Sequence, residues 1–199
     1  MKKYNGIKKK DIKSKYDQTA DHYDLRYENI QKAKFNALFY ELKKIYDFQN
    51  KEIILDIGCG TLIVYEQFLS KLGHNFYYIG LDFSIMMLKE GINKNQVKLR
   101  HNNYSTILAD VEYLPLKSEK INICVSLTVA QNLIDIEKHL TIIFDILDKN
   151  NGVLLISFHK KFFTLKYVEN LLKKIQKIDY IHVNSENLED YLFIIRKLH

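Results

Sequence analysis

Three aspartates, Asp56, Asp82 and Asp110, each end a short apolar run, and a glycine pair, Gly58 and Gly60, follows the first of them. Residues of these types at these spacings suit recognition of a nucleoside. Gly58 and Gly60 bracket Cys59; lacking a Cβ, they can take positive φ and bring a ligand against bare backbone. The amides at the start of the following helix favour a carboxylate or phosphate. Asp82 lies 22 residues beyond Gly60, the spacing at which an acid accepts hydrogen bonds from ribose hydroxyls.

Two nucleoside cofactors meet these conditions, NAD and S-adenosylmethionine. The dinucleotide fingerprint wants a third glycine for helix packing, and that position is Ile63. A pyrophosphate has no evident use for Asp56 two residues before the turn, whereas the ammonium and sulfonium of S-adenosylmethionine do. The balance favours S-adenosylmethionine.

These residues need a parallel sheet to gather them. Ile53, Ile54, Leu55 and Ile57 read as a strand buried on both faces. After the glycine turn, Tyr65, Phe68, Leu69 and Leu72 recur at helical spacing up to Gly73. Further strands are expected over 76–82, 105–108, 121–127 and 153–157, with helices between them. The final pair, 178–183 and 191–195, is joined too closely for a helical crossover and must be antiparallel. Before the first strand, Phe35, Leu38, Leu42 and Ile45 mark a helical lead-in. The expected fold is α/β: a doubly wound, mostly parallel, seven-stranded Rossmann-like sheet with a terminal antiparallel hairpin and an N-terminal helical cap. The whole of 1–199 is expected to form one domain, with a solvated lysine-rich arm over 1–15 and the cap over 16–50.

Composition narrows the classes. With 199 residues, 47% hydrophobic and 27% charged, the chain can bury a core and is not globally disordered. Its apolar runs are too short to span a membrane and its start lacks the apolar core of a signal peptide, so a soluble cytoplasmic protein with no membrane partner is expected. The two cysteines, Cys59 and Cys124, have no zinc-like spacing, and no metal is expected. The net charge of +6 accompanies Lys, Asn, Ile and Tyr richness throughout, so it signals either a polyanionic partner or compositional bias.

The segments LDIGCGT, GLDFSIMMLKEG and ADVEYLPL, the final hairpin and the lead-in YDQTADHYD together resemble the class I S-adenosylmethionine-dependent methyltransferases of the small UbiE-like kind called methyltransferase type 11. The resemblance implies that Asp56, Gly58 and Gly60 hold the methionine moiety, with Cys59 in the turn between the glycines. It implies Asp82 on the ribose, Phe83 beside the adenine, and Asp110 with Val111 at the adenine amino group. Tyr23 is the lead-in aromatic expected to cover the cofactor. One position departs: such enzymes usually have glycine two residues past the second motif glycine, and here Leu62 is expected to crowd the methionine end or push the helix away.

Plainer readings stand beside these. Asp82 or Asp110 can serve as a helix cap or turn residue. Cys59 reads as a small turn residue, since no His or Lys is placed to activate it. His22 and His159 are candidate general bases but stand isolated, so no catalytic residue is assigned. Strand four runs into SLTVAQN, not an Asn-Pro-Pro-Tyr motif, which argues against amide or exocyclic base-amine methylation of that kind. The expected function is methyl transfer to a small molecule; RNA or protein acceptors, or a non-catalytic cofactor-binding scaffold, are the alternatives.

Overall fold

A computed structural model describes residues 9–49, 51–96, 98, 103–116 and 119–198. The apolar runs form the strands β1 (Glu52–Ile57), β2 (Phe76–Asp82), β3 (Tyr104–Leu108), β4 (Ile123–Ser126), β5 (Val153–His159), β6 (Ile178–Val183) and β7 (Asp190–Lys197). They make one sheet in the order β3-β2-β1-β4-β5-β7-β6. The first five strands are parallel, while β7 pairs antiparallel with both β5 and β6. The doubly wound plan and terminal hairpin are as expected. Strand four is shorter than expected, because Ile121 makes only an isolated bridge to Leu147.

Strand alternation divides the core in two. Ile54, Ile123, Val125, Leu155 and Ile194 face α2 (Tyr23–Ile45) and α3 (Ile63–Leu72), with Leu88 of α4 (Ile85–Asn95) on the same side. Leu55, Ile57, Cys124, Leu154, Ile156 and Phe193 face α5 (Ile136–Ile146) and α6 (Leu165–Lys173). In the lead-in, Phe35, Leu38 and Leu42 are buried.

The N-terminal segment corrects the expected arm over 1–15. Helix α1 runs Lys9–Thr19, and a 3-10 turn, Ala20–His22, links it to α2. None of the α1 residues is fully buried. Its place is fixed by polar contacts with distant loops, so no apolar periodicity announces it. Residues 1–8 of the expected arm lie outside the described residues.

Candidate functional site

β1 pairs with β2 on one side and β4 on the other, so the chain winds in opposite directions from this point. Such a reversal opens a crevice at the C-terminal ends of the strands. Two adjoining recesses lie there. One is lined by Gly58, Gly60, Asp82, Phe83, Asp110 and Val111, the other by Asp56, Gly58, Cys59 and Gly60, and Tyr23 borders both. All nine residues singled out from the sequence thus line one recess or both.

The turn has the conformation glycine permits. Gly58 and Gly60 have φ of +72° and +51°, and a Cβ on Gly58 would stand 2.5 Å from Val129 Cγ2. Asp82, only 6% exposed, ties this turn to the end of β2. Its Oδ2 accepts from Gly60 N at 2.9 Å and its Oδ1 from Ser84 N at 2.8 Å. Burial raises the Asp82 pKa while these amide bonds lower it; the net shift is upward. Each oxygen keeps a second lone pair for a ligand hydroxyl.

Leu62 does not obstruct either recess. It sits at the start of α3 with φ 64°, ψ 28°, in the left-handed region, and is fully buried in the core beside α2 and α3. The expected crowding of the methionine end is therefore absent. No side chain caps α3, so its first amides remain turned towards the glycine loop, whereas Ser84 caps α4.

Asp56 is 2% exposed and accepts a hydrogen bond from Tyr78 Oη. Burial pushes its pKa up to about 7, the Tyr78 hydroxyl opposing and the Asp82 charge adding to the rise. A cation arriving beside it would reverse that rise. Burial also pushes the Cys59 thiol well up, keeping it protonated and un-nucleophilic.

The N-terminal segment reaches every loop of the crevice. Asp24 accepts from Thr61 Oγ1 in the glycine loop and pairs with Lys94. Asp17 accepts from Ser84 Oγ at 2.6 Å and Met86 N at 3.4 Å, both after β2. Lys9 pairs with Asp110 and Glu112 after β3. Tyr16 Oη accepts from Asn132 Nδ2 at 3.3 Å after β4, and its ring lies 6.1 Å from that of Phe83 and 6.3 Å from that of Tyr23. Sequence reasoning found Tyr23 alone among these. The missed signal was a repeat: Tyr16 and Tyr23, and likewise Asp17 and Asp24, stand seven residues apart, about two helical turns.

Thr128, after β4, also went unnoticed. Its φ of +62° is strained for a β-branched residue. Thr128 N donates to Ser157 Oγ at 2.8 Å, and Thr128 Oγ1 accepts from Lys34 Nζ at 2.9 Å and Gln31 Nε2 at 3.0 Å. Of the candidate bases, His22 is exposed, 3.5 Å from Asp21 Oδ2. His159 Nδ1 accepts from Lys161 N at 3.3 Å, which occupies the lone pair a base would use.

A methyltransferase-domain family profile matches residues 48–191. An uncharacterized protein of Methanocaldococcus jannaschii is 28% identical over 170 residues, covering 85% of this chain and 60% of that one. Malonyl-[acyl-carrier protein] O-methyltransferase of Bacillus cereus is 32% identical over 151 residues, covering 76% of this chain and 53% of that one. This chain therefore spans little more than half the length of those relatives. In fold it is similar to magnesium protoporphyrin IX methyltransferase of Synechocystis PCC 6803, solved with bound S-adenosylmethionine (TM-score 0.73, 13% identity, 98% of this chain and 100% of that one). It is also similar to the Haemonchus contortus phosphoethanolamine N-methyltransferase 2 complex with S-adenosyl-L-methionine (TM-score 0.67, 15% identity, 92% and 60%).

Proposed function

We propose, on the premise that this chain belongs to the class I S-adenosylmethionine-dependent methyltransferases, that it transfers a methyl group from S-adenosylmethionine to a small-molecule acceptor. The observation that carries this reading is the Asp82 carboxylate, held by Gly60 N and Ser84 N at the crevice where the strand order reverses. An acid so placed meets the ribose of a nucleoside.

The residues present fit that cofactor. Gly58 and Gly60, both at positive φ and without a Cβ, present bare backbone on either side of Cys59. Asp56 offers a buried carboxyl to a cationic methionine end, and Asp82 offers oxygens to the ribose diol. Asp110 and Val111 border the opposite end, with Phe83 and Tyr16 able to flank the adenine. When bound, S-adenosylmethionine supplies a methyl group on a positively charged sulfur, already activated for transfer. The chain's own task is then alignment, which can contribute up to about 7–11 kcal/mol. Tyr23 and Gln31 border the methionine-side recess and hold its outer wall. The contacts of Asp17, Asp24 and Lys9 hold the N-terminal helices over the crevice and exclude water.

Two observations favour a small acceptor. The N-terminal helices wall the crevice, as enclosure of a small ligand requires. Lys9 and Lys13, two of the lysines an RNA acceptor would call on, are engaged by Asp110, Glu112 and Asp17. Incubating the protein with methyl-labelled S-adenosylmethionine and fractionated cell extract tests the reading. Label should enter the low-molecular-weight fraction. Label in RNA or protein would replace the acceptor class, and cofactor binding without transfer to any fraction would favour a scaffold.

A further inference from the structure

A third cleft, of about 460 Å³, opens beside the two recesses. It lies between the N-terminal helices and the ends of β5 and β7, and it shares Tyr23 and Gln31 with the methionine-side recess. Its position puts an occupant next to the group a methyltransferase would transfer. Its volume lies within the usual range for small-molecule sites.

The floor is a built polar centre. Lys34 and Asp190, 3% and 1% exposed, pair at 2.8 Å, and Lys34 also donates to Thr128 Oγ1. That leaves one of the three Lys34 N–H donors without a partner among the described residues. Asp190 Oδ1 is likewise buried with no donor among the described residues. An unsatisfied buried group of this kind is costly, and an acceptor oxygen of a ligand entering the cleft would satisfy the Lys34 donor.

The rim is cationic. Lys15, Arg26 and Lys161 border the cleft, and none forms an ion pair with a described residue, while Glu189 is the one rim carboxylate among those residues. His159 adds a donor: with Nδ1 accepting from Lys161 N, Nε2 is the nitrogen that donates, 3.9 Å from Glu189 Oε2. Tyr23, Tyr27 and Phe162 supply flat walls.

We infer that this cleft is the acceptor site and that its ligand is an anion, a small molecule bearing a carboxylate or a phosphate on an apolar or planar body. Arg26 and Lys161 hold the anionic group at the rim, and Lys34 donates from the floor. This inference rests on the methyltransferase reading given above.

The test is calorimetric titration of benzoate, phenyl phosphate and benzyl alcohol into the full chain, with and without saturating S-adenosylhomocysteine. At least one anion should bind, and benzyl alcohol should bind at least about tenfold more weakly. The benzoate and phenyl phosphate arms identify which anion the cleft takes. Arg26→Ala combined with Lys161→Ala, both at the surface, should weaken anion binding about tenfold while S-adenosylhomocysteine affinity stays within about twofold. Equal binding of benzyl alcohol, no anion binding, or anion binding unmoved by the double variant would overturn the inference. If S-adenosylhomocysteine binds and the anions do not, only the acceptor class fails. If S-adenosylhomocysteine does not bind, the methyltransferase reading fails, and the titrations without it still decide whether the cleft takes anions.

Discussion

Leu62 and Gly91 fit against each other: a Cβ built on Gly91 would lie 2.8 Å from Leu62 Cγ and 2.8 Å from the Thr61 carbonyl carbon. The bare backbone of α4 thus makes room for the Leu62 side chain. Gly91→Ala should overpack this contact and lower stability by about 1–3 kcal/mol. Leu62→Gly relieves a left-handed residue, worth about 1–2 kcal/mol, but removes a buried leucine, which costs about 2–5 kcal/mol. The loss is larger. Thermal unfolding should show Leu62→Gly less stable than wild type, with S-adenosylhomocysteine affinity unchanged; tighter binding in this variant would show that Leu62 crowds the methionine end.

Asp56 makes stability and binding depend on pH in opposite directions. Its folded pKa of about 7 lies above the ordinary carboxylate value, so between about pH 4 and 7 the folded state holds a proton the unfolded chain has released. Its contribution to stability therefore falls as pH rises across that window. A cationic methionine end needs the ionised form, so S-adenosylhomocysteine affinity should rise as pH goes from about 6 to 8. Asp56→Asn should flatten both profiles. Calorimetry at several pH values reads the second effect, and a flat wild-type profile would count against the assigned role.

The contacts of α1 and α2 with the crevice loops should govern how long the cofactor stays. Asp24→Ala removes the acceptor of the Thr61 hydroxyl and one of the two carboxylates paired with Lys94 among the described residues, Glu66 being the other. Hydrogen exchange across α1 should quicken, and S-adenosylhomocysteine should dissociate about tenfold faster, a change of about 1.4 kcal/mol in barrier. Stopped-flow dissociation at the wild-type rate would show that the segment is not a closure.

The buried pair under the third cleft is a sharper stability test. Lys34→Met would strand the Asp190 charge and should cost about 3–5 kcal/mol. Adding Asp190→Leu should recover most of that loss, because a matched apolar pair needs no desolvation of charge. Denaturant unfolding of the two variants checks this; a double variant no more stable than Lys34→Met would mean that the two residues act independently.

What the sequence made legible follows the physics of each segment. β1 and β2 read clearly because continuous apolar runs have one stable home, a strand buried on both faces. Asp82 read clearly because its spacing from the glycine turn reflects one βαβ unit. Helix α1 did not, since KKDIKSKYDQT buries no residue fully and is held by Lys9 and Asp17 reaching loops far along the chain. The setting of Leu62 was hidden for a similar reason: the residue that accommodates it, Gly91, faces it from the next helix. The acceptor cleft was hidden because His22, Lys34, His159 and Asp190 come together only in the folded chain.

The most direct measurement is calorimetric titration of S-adenosylhomocysteine and NAD into wild type and Asp82→Asn. Each charge-assisted hydrogen bond to the ribose contributes about 1.5–3 kcal/mol. Wild type should bind S-adenosylhomocysteine and not NAD, and Asp82→Asn should weaken binding by about ten- to a thousandfold. Tighter binding of NAD, or an S-adenosylhomocysteine affinity that Asp82→Asn leaves unchanged, would contradict the assignment of this crevice.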